Sequence, residues 1–69
     1  MNKILKARMI EVFGGQWRFA AAAEEHEAAV SKVVRRKIHL EPAKQQKWAA
    51  LLGTDAKRLF GKEVTNGEA

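Results

Sequence analysis

QWRFAAAAEEHEAAVSKVVRRK, residues 16–37, holds two short helical patterns separated by a few polar residues. The first begins near Gln16 and runs through Ala23, with Phe19, Ala20 and Ala23 on one face. The second covers roughly Glu27 to Arg36 and presses Ala29, Val30 and Val33 onto the rest of the chain. Two helices joined by so short a turn cannot lie antiparallel and must cross steeply. The residue at the crossing has to be small, and Ala20 qualifies. At about 100° per residue, Ala28, Ser31, Lys32 and Arg35 share the side of the second helix opposite its valines. That outward face is small or polar at its start and basic at its end, and Arg36 and Lys37 carry the charge just beyond it.

Outward from this segment the punctuation is plain. Gly14-Gly15 stops a first helix that Asn2 can cap and that runs to about Phe13. Leu5, Met9 and Phe13, with Val12, form its expected inward stripe. Pro42 suits the first turn of a later helix that carries Trp48, Leu51 and Leu52 inward and ends at Gly53. Thr54 is positioned to cap a last short helix over residues 55–60, which offers Leu59 and Phe60 to the core. The expected architecture is all-α, a compact bundle of about five short helices within one domain over residues 1–61. A polar tail at 62–69 should be disordered.

Composition narrows the function. The chain has 69 residues, 13 Lys plus Arg against 8 Asp plus Glu, and a formal net charge of +5. A domain this small buries only about 60% of the surface its unfolded chain exposes, which leaves little room for a catalytic cleft. With 0 Cys and 2 His, neither a disulfide nor a metal site is expected. No nucleophile–base constellation or phosphate-binding loop is present, so no catalytic residue and no cofactor are expected. No apolar run is long enough to span a membrane, and the cytoplasm is the expected location. Between Lys32 and Lys47 stand six basic residues and one acid, Glu41, an excess equal to that of the whole molecule. A polyanion is therefore the first partner to consider.

The stretches Gln16–Ala20 and Val30–Arg35, with Leu40-Glu41-Pro42 and Trp48–Gly53 behind them, resemble the helix-turn-helix repressors of the phage Cro and XRE type. The likeness covers roughly Lys3 to Gly61. It implies a lambda-repressor-like DNA-binding domain and a sequence-specific transcriptional regulator. On it, Gln16 matches a position that touches the DNA backbone, while Glu27, Ala28, Ser31, Lys32 and Arg35 match base-reading positions. Two residues depart from the pattern. Glu24 stands where Gly is usual in the turn, and Glu25 stands where an apolar residue is usual.

The residues also carry readings of their own. Lys32 and Arg35 are donor-only groups suited to the N7 and O6 acceptors of guanine, against the alternative of a solvated helix face. Arg36, Lys37 and Arg18 suit phosphates. Ser31 allows close approach and can donate. Glu27 can accept from cytosine N4, but with Glu24 and Glu25 it more simply complements the start of the second helix. His26 suits a cap, Trp48 the core, and His39 a structural role. Trp17 could pack partly in the core or lay its ring on a sugar-phosphate chain.

The expected partner is double-stranded DNA with a palindromic operator, bound by a homodimer across half-sites about one helical turn apart. Leu59, Phe60 and the tail are the candidate dimer surface. A protein-interaction module of the same fold, such as an antitoxin or anti-repressor, is the alternative.

Overall fold

A computed structural model describes residues 1–61, and these form an all-α bundle with no strand among them. Helix α1 spans Lys3–Phe13, α2 Gln16–Ala23, α3 Glu27–Val34 and α4 Pro42–Leu51. A fifth helix, α5, begins at residue 56 and is helical to 61. The 62–69 tail lies outside the described residues.

Local chemistry sets where each helix starts. Asn2 caps α1 through its side-chain oxygen, which accepts from Leu5 N–H at 3.1 Å. Pro42 opens α4. The expected cap of α5 is displaced by one residue: Asp55, not Thr54, accepts from Arg58 N–H at 2.8 Å. A carboxylate is the stronger acceptor for a first-turn N–H.

Helix ends follow one rule. Each of α1 to α4 is followed by a residue in the left-handed region: Gly14 at φ 92, Glu24 at φ 59, Arg36 at φ 63 and Gly53 at φ 68. After α2, Glu25 N–H reaches back to Ala20 C=O at 2.9 Å. After α3, Lys37 N–H reaches Lys32 C=O at 2.8 Å. These backward bonds satisfy carbonyls that a helix end leaves open. The third helix is accordingly shorter than expected. It stops at Val34, and Arg35 and Arg36 belong to its cap.

The core is a row of aromatic rings. Phe13 meets Phe19 edge-on at 5.5 Å between centroids, Phe19 meets Trp48 at 5.0 Å, and Trp48 tilts against Phe60 at 6.5 Å. The row links α1, α2, α4 and α5, and such edge-to-face pairs add about 0.5–1.5 kcal/mol each beyond their buried area. Leu5, Met9, Val30, Val33, Val34, Leu52 and Leu59 fill in around it. Several expectations change in detail. Val12 is exposed, although helical period places it on the Leu5–Met9 side of α1. Ala29 is half-buried and Val34 takes the inward place beside Val30 and Val33. Leu51 is only half-buried, and Ala49 joins Trp48 and Leu52 inside.

Two polar side chains tie the ends of the bundle together. Buried Asn2 donates from Nδ2 to Leu59 C=O at 2.9 Å, and its backbone N–H donates to Val34 C=O at 2.7 Å. Arg8 of α1 donates from Nε to Leu52 C=O at 2.7 Å, closing the C-terminal end of α4.

Candidate nucleic-acid interface

The turn between α2 and α3 is built from the residues that depart from the helix-turn-helix pattern. Glu24 takes the left-handed conformation usually given to Gly, at φ 59 and ψ 43. A side chain there costs of order 1 kcal/mol. Glu25 does not simply lose an apolar contact. Its carboxylate pairs with Lys44 Nζ of α4 at 2.9 Å, with 16% of the side chain exposed against 46% for the lysine. The hydrogen bond that Lys44 donates to Glu25, then the Glu25 charge, with Glu41 adding, hold the Lys44 ammonium above its ordinary pKa. Lys47, one turn on, donates to Ala23 C=O at 3.3 Å and so covers the end of α2. Two of the six cations counted between Lys32 and Lys47 therefore serve as braces for the turn.

Ala20 is buried beneath this turn, as the crossing requires. The helix α3 is held by Val30, Val33 and Val34, while Ala28, Lys32 and Arg35 on its other side are exposed and Ser31 is half-buried. Glu27 occupies the first turn of α3 and is exposed. His26 holds the N-cap position, but its side chain makes no cap bond. His39 is exposed in the connection to α4.

An open groove of about 730 Å³ separates the start of α2 from the start of α3. Gln16 and Trp17 line one side, Glu27, Ala28 and Ser31 the other, and Ile10 of α1 stands at its end. Trp17 is not a core residue, because 59% of it is exposed. Its ring is nevertheless held in place. The Arg18 guanidinium sits 5.0 Å from the ring centroid, within cation–π range. The indole also folds back over Gly15, where an added Cβ would meet Trp17 Cδ1 at 3.3 Å. The glycine pair thus ends α1 and also seats the side chain at the groove's rim.

The sequence-derived site residues fall into three groups. Gln16, Trp17, Glu27, Ala28 and Ser31 line the groove. Lys32 and Arg35 continue the outward face of α3, with Arg18 beside the rim and Lys37 exposed beyond the helix. Arg36 instead lines a separate, narrower cleft with Lys3 and Arg58. Ile10 was not among the expected residues, although an isoleucine off the Leu5–Met9 line is the available signal for it. Lys3 and Arg58 are distant in sequence from the basic segment, and no spacing links them to it.

Leu59 and Phe60 are buried in the chain's own core and leave no exposed surface for a dimer contact, and the tail named with them lies outside the described residues. Among the described residues no helix is long and apolar enough to cross a membrane. Compared with family models, curated proteins and solved structures, the chain matches none significantly.

Proposed function

We propose that the protein reads double-stranded DNA in a sequence-specific way, as a small phage-repressor-like regulator that lays α3 in the major groove. One observation carries the reading: α3 is anchored by Val30, Val33 and Val34 and presents Ala28, Lys32 and Arg35 uncovered. The B-DNA major groove is about 12 Å wide and admits one helix approached from its free side. Lys32 and Arg35 donate to guanine N7 and O6, and Ala28 and Ser31 let the helix start come close. Gln16, Trp17 and Arg18, at the groove's far rim, meet the sugar-phosphate chain together with Lys37.

One helix reads only a few base pairs, so two copies on a palindromic site, with half-sites about one helical turn apart, supply useful specificity. A second reading, a protein-interaction module such as an antitoxin or anti-repressor, is favoured by the 50% and 59% exposure of Ile10 and Trp17 at one groove.

Selection from random duplexes, followed by salt-dependent titration of the parent, Lys32→Ala and Arg35→Ala, tests the proposal. Enrichment of a symmetric site, lost at one guanine in each variant, is the expected result. A phosphate contact would instead weaken all sequences alike and flatten the salt slope. No enrichment, with both variants binding like the parent, would sink the DNA reading and favour the interaction module.

A further inference from the structure

Helix α1 sorts its charged side chains to two sides. Arg8 and Glu11 pair at 2.6 Å, and Arg8 Nε also donates to Leu52 C=O at 2.7 Å, so one side serves the end of α4. At 100° per residue, Lys6 stands about 160° around the helix from Arg8 and about 140° from Glu11. Ile10, one turn after Lys6, shares its side. That side is turned toward α3, because Ile10 lines the groove with Glu27, Ala28 and Ser31.

The packing of α1 on α3 fixes what Lys6 borders. At one end the Asn2 N–H, in the cap of α1, donates to the C=O of Val34, the last residue of α3, at 2.7 Å. At the other end Ile10 reaches the start of α3. The two helices therefore lie side by side in opposite directions, and Lys6 is midway between the two points of contact. It flanks the stretch of α3 whose free face carries Ser31, Lys32 and Arg35, while Glu27 stands at the Ile10 end. Lys6 is half-buried, and among the described residues it makes no hydrogen bond or ion pair. Three cations on adjoining faces repel one another, and a polyanion lying across both helices relieves that repulsion.

We infer that α1 is a third DNA-facing element, in which the Lys6 ammonium holds a backbone phosphate of the duplex. The inference rests on the reading of α3 as the helix that enters the major groove. An α-helix with its side chains is about 10–12 Å across and the groove about 12 Å wide, so the inserted helix has a sugar-phosphate chain at each side. A helix packed along its flank meets one of those chains. The Lys6 stem is already laid against the protein, so its ammonium loses less freedom on contact than that of a fully solvated lysine. A point charge on a phosphate adds affinity and carries no sequence preference.

Titration of a selected and a random duplex over a range of salt concentrations tests the assignment, with the parent, Lys6→Gln, Lys6→Arg and Lys57→Gln. Lys57 lines a different surface, with Gln46 and Ala50, and its loss changes the net charge equally. Lys6→Gln should weaken both duplexes by the same factor, about three- to tenfold at low salt, and lower the salt slope by about one. Lys6→Arg should restore the slope, and Lys57→Gln should leave it as in the parent. An unchanged slope in Lys6→Gln, with the parent still preferring the selected duplex, would overturn the role of Lys6 and leave the α3 reading intact. Equal reductions in Lys6→Gln and Lys57→Gln would overturn it too, because net charge alone would then account for the effect. A loss confined to the selected duplex would make Lys6 a base contact and refute the phosphate assignment. A parent that prefers no duplex would overturn the α3 reading, and this inference with it.

Discussion

Glu24 and Arg36 share one backbone conformation, left-handed at φ 59 and φ 63, and they stand at the two ends of α3. The corresponding positions after α1 and α4 are Gly14 and Gly53. Both strained terminators of the described chain thus bracket the helix that presents the exposed basic face.

Replacing either residue with glycine should raise stability by about 1 kcal/mol, because the Cβ penalty disappears at a modest entropic cost. Alanine at the same positions keeps the Cβ and should not reproduce the gain. Urea unfolding with an unchanged slope would establish the effect. A midpoint that falls in both glycine variants would contradict it.

The Lys44–Glu25 pair should make stability sensitive to alkali. Folding raises the Lys44 pKa above its ordinary value of 10.5, so the contribution is complete below that value. It is lost as pH rises through the higher folded value. Thermal unfolding on either side of pH 10.5 should show a decline that is shallower in Lys44→Gln. Equal declines in the two proteins would show that the pair does not titrate as described.

Asn2→Ala removes a helix cap worth about 1 kcal/mol and leaves the Leu59 carbonyl without its amide partner, at a further cost of about 1–2 kcal/mol. Asn2→Ser keeps the cap oxygen and should recover roughly 1 kcal/mol of the loss. Chemical denaturation of the three proteins orders them. A serine variant no better than alanine would leave the cap without measurable weight.

The two tryptophans should separate cleanly. Trp17→Ala should change stability by no more than about 0.5 kcal/mol, as is usual for exposed positions. Trp48→Ala should cost about 3–5 kcal/mol through loss of the central ring. With Trp48→Phe as background, emission reports on Trp17 alone and should change when duplex DNA fills the groove. Emission that ignores bound DNA would remove Trp17 from the interface.

Much of the fold was legible in residue spacing. Gly14-Gly15, Pro42 and Gly53 mark helix boundaries by backbone chemistry that acts within a few residues, and the Leu5–Met9 and Phe19–Ala20–Ala23 lines follow from helical period. Asn2 was readable as a cap for the same reason, but its bond to Leu59 was not, since 57 positions separate them. The site was legible only where α2 and α3 carry it. Charge counting placed Lys44 and Lys47 in the basic segment, yet tertiary packing turns them onto Glu25 and the Ala23 carbonyl. Conversely, Lys3 and Arg58 join Arg36 through the meeting of distant helix ends. Periodicity reports which face of a helix is buried, not which distant segment it meets.

The helices that end at these caps are short, at 8 to 11 residues for α1 to α4. An isolated helix below about 12–15 residues is marginal in water, so none should persist once the aromatic row between them is broken. Cooperativity then extends to α3 itself. Its amide protons should exchange with solvent only through opening of the whole bundle, and not by fraying of one element. A ligand arriving at α3 would meet a helix that is already formed. Association would then proceed without an ordering penalty in the helix, with a heat-capacity change set by the contact surface rather than by coupled folding.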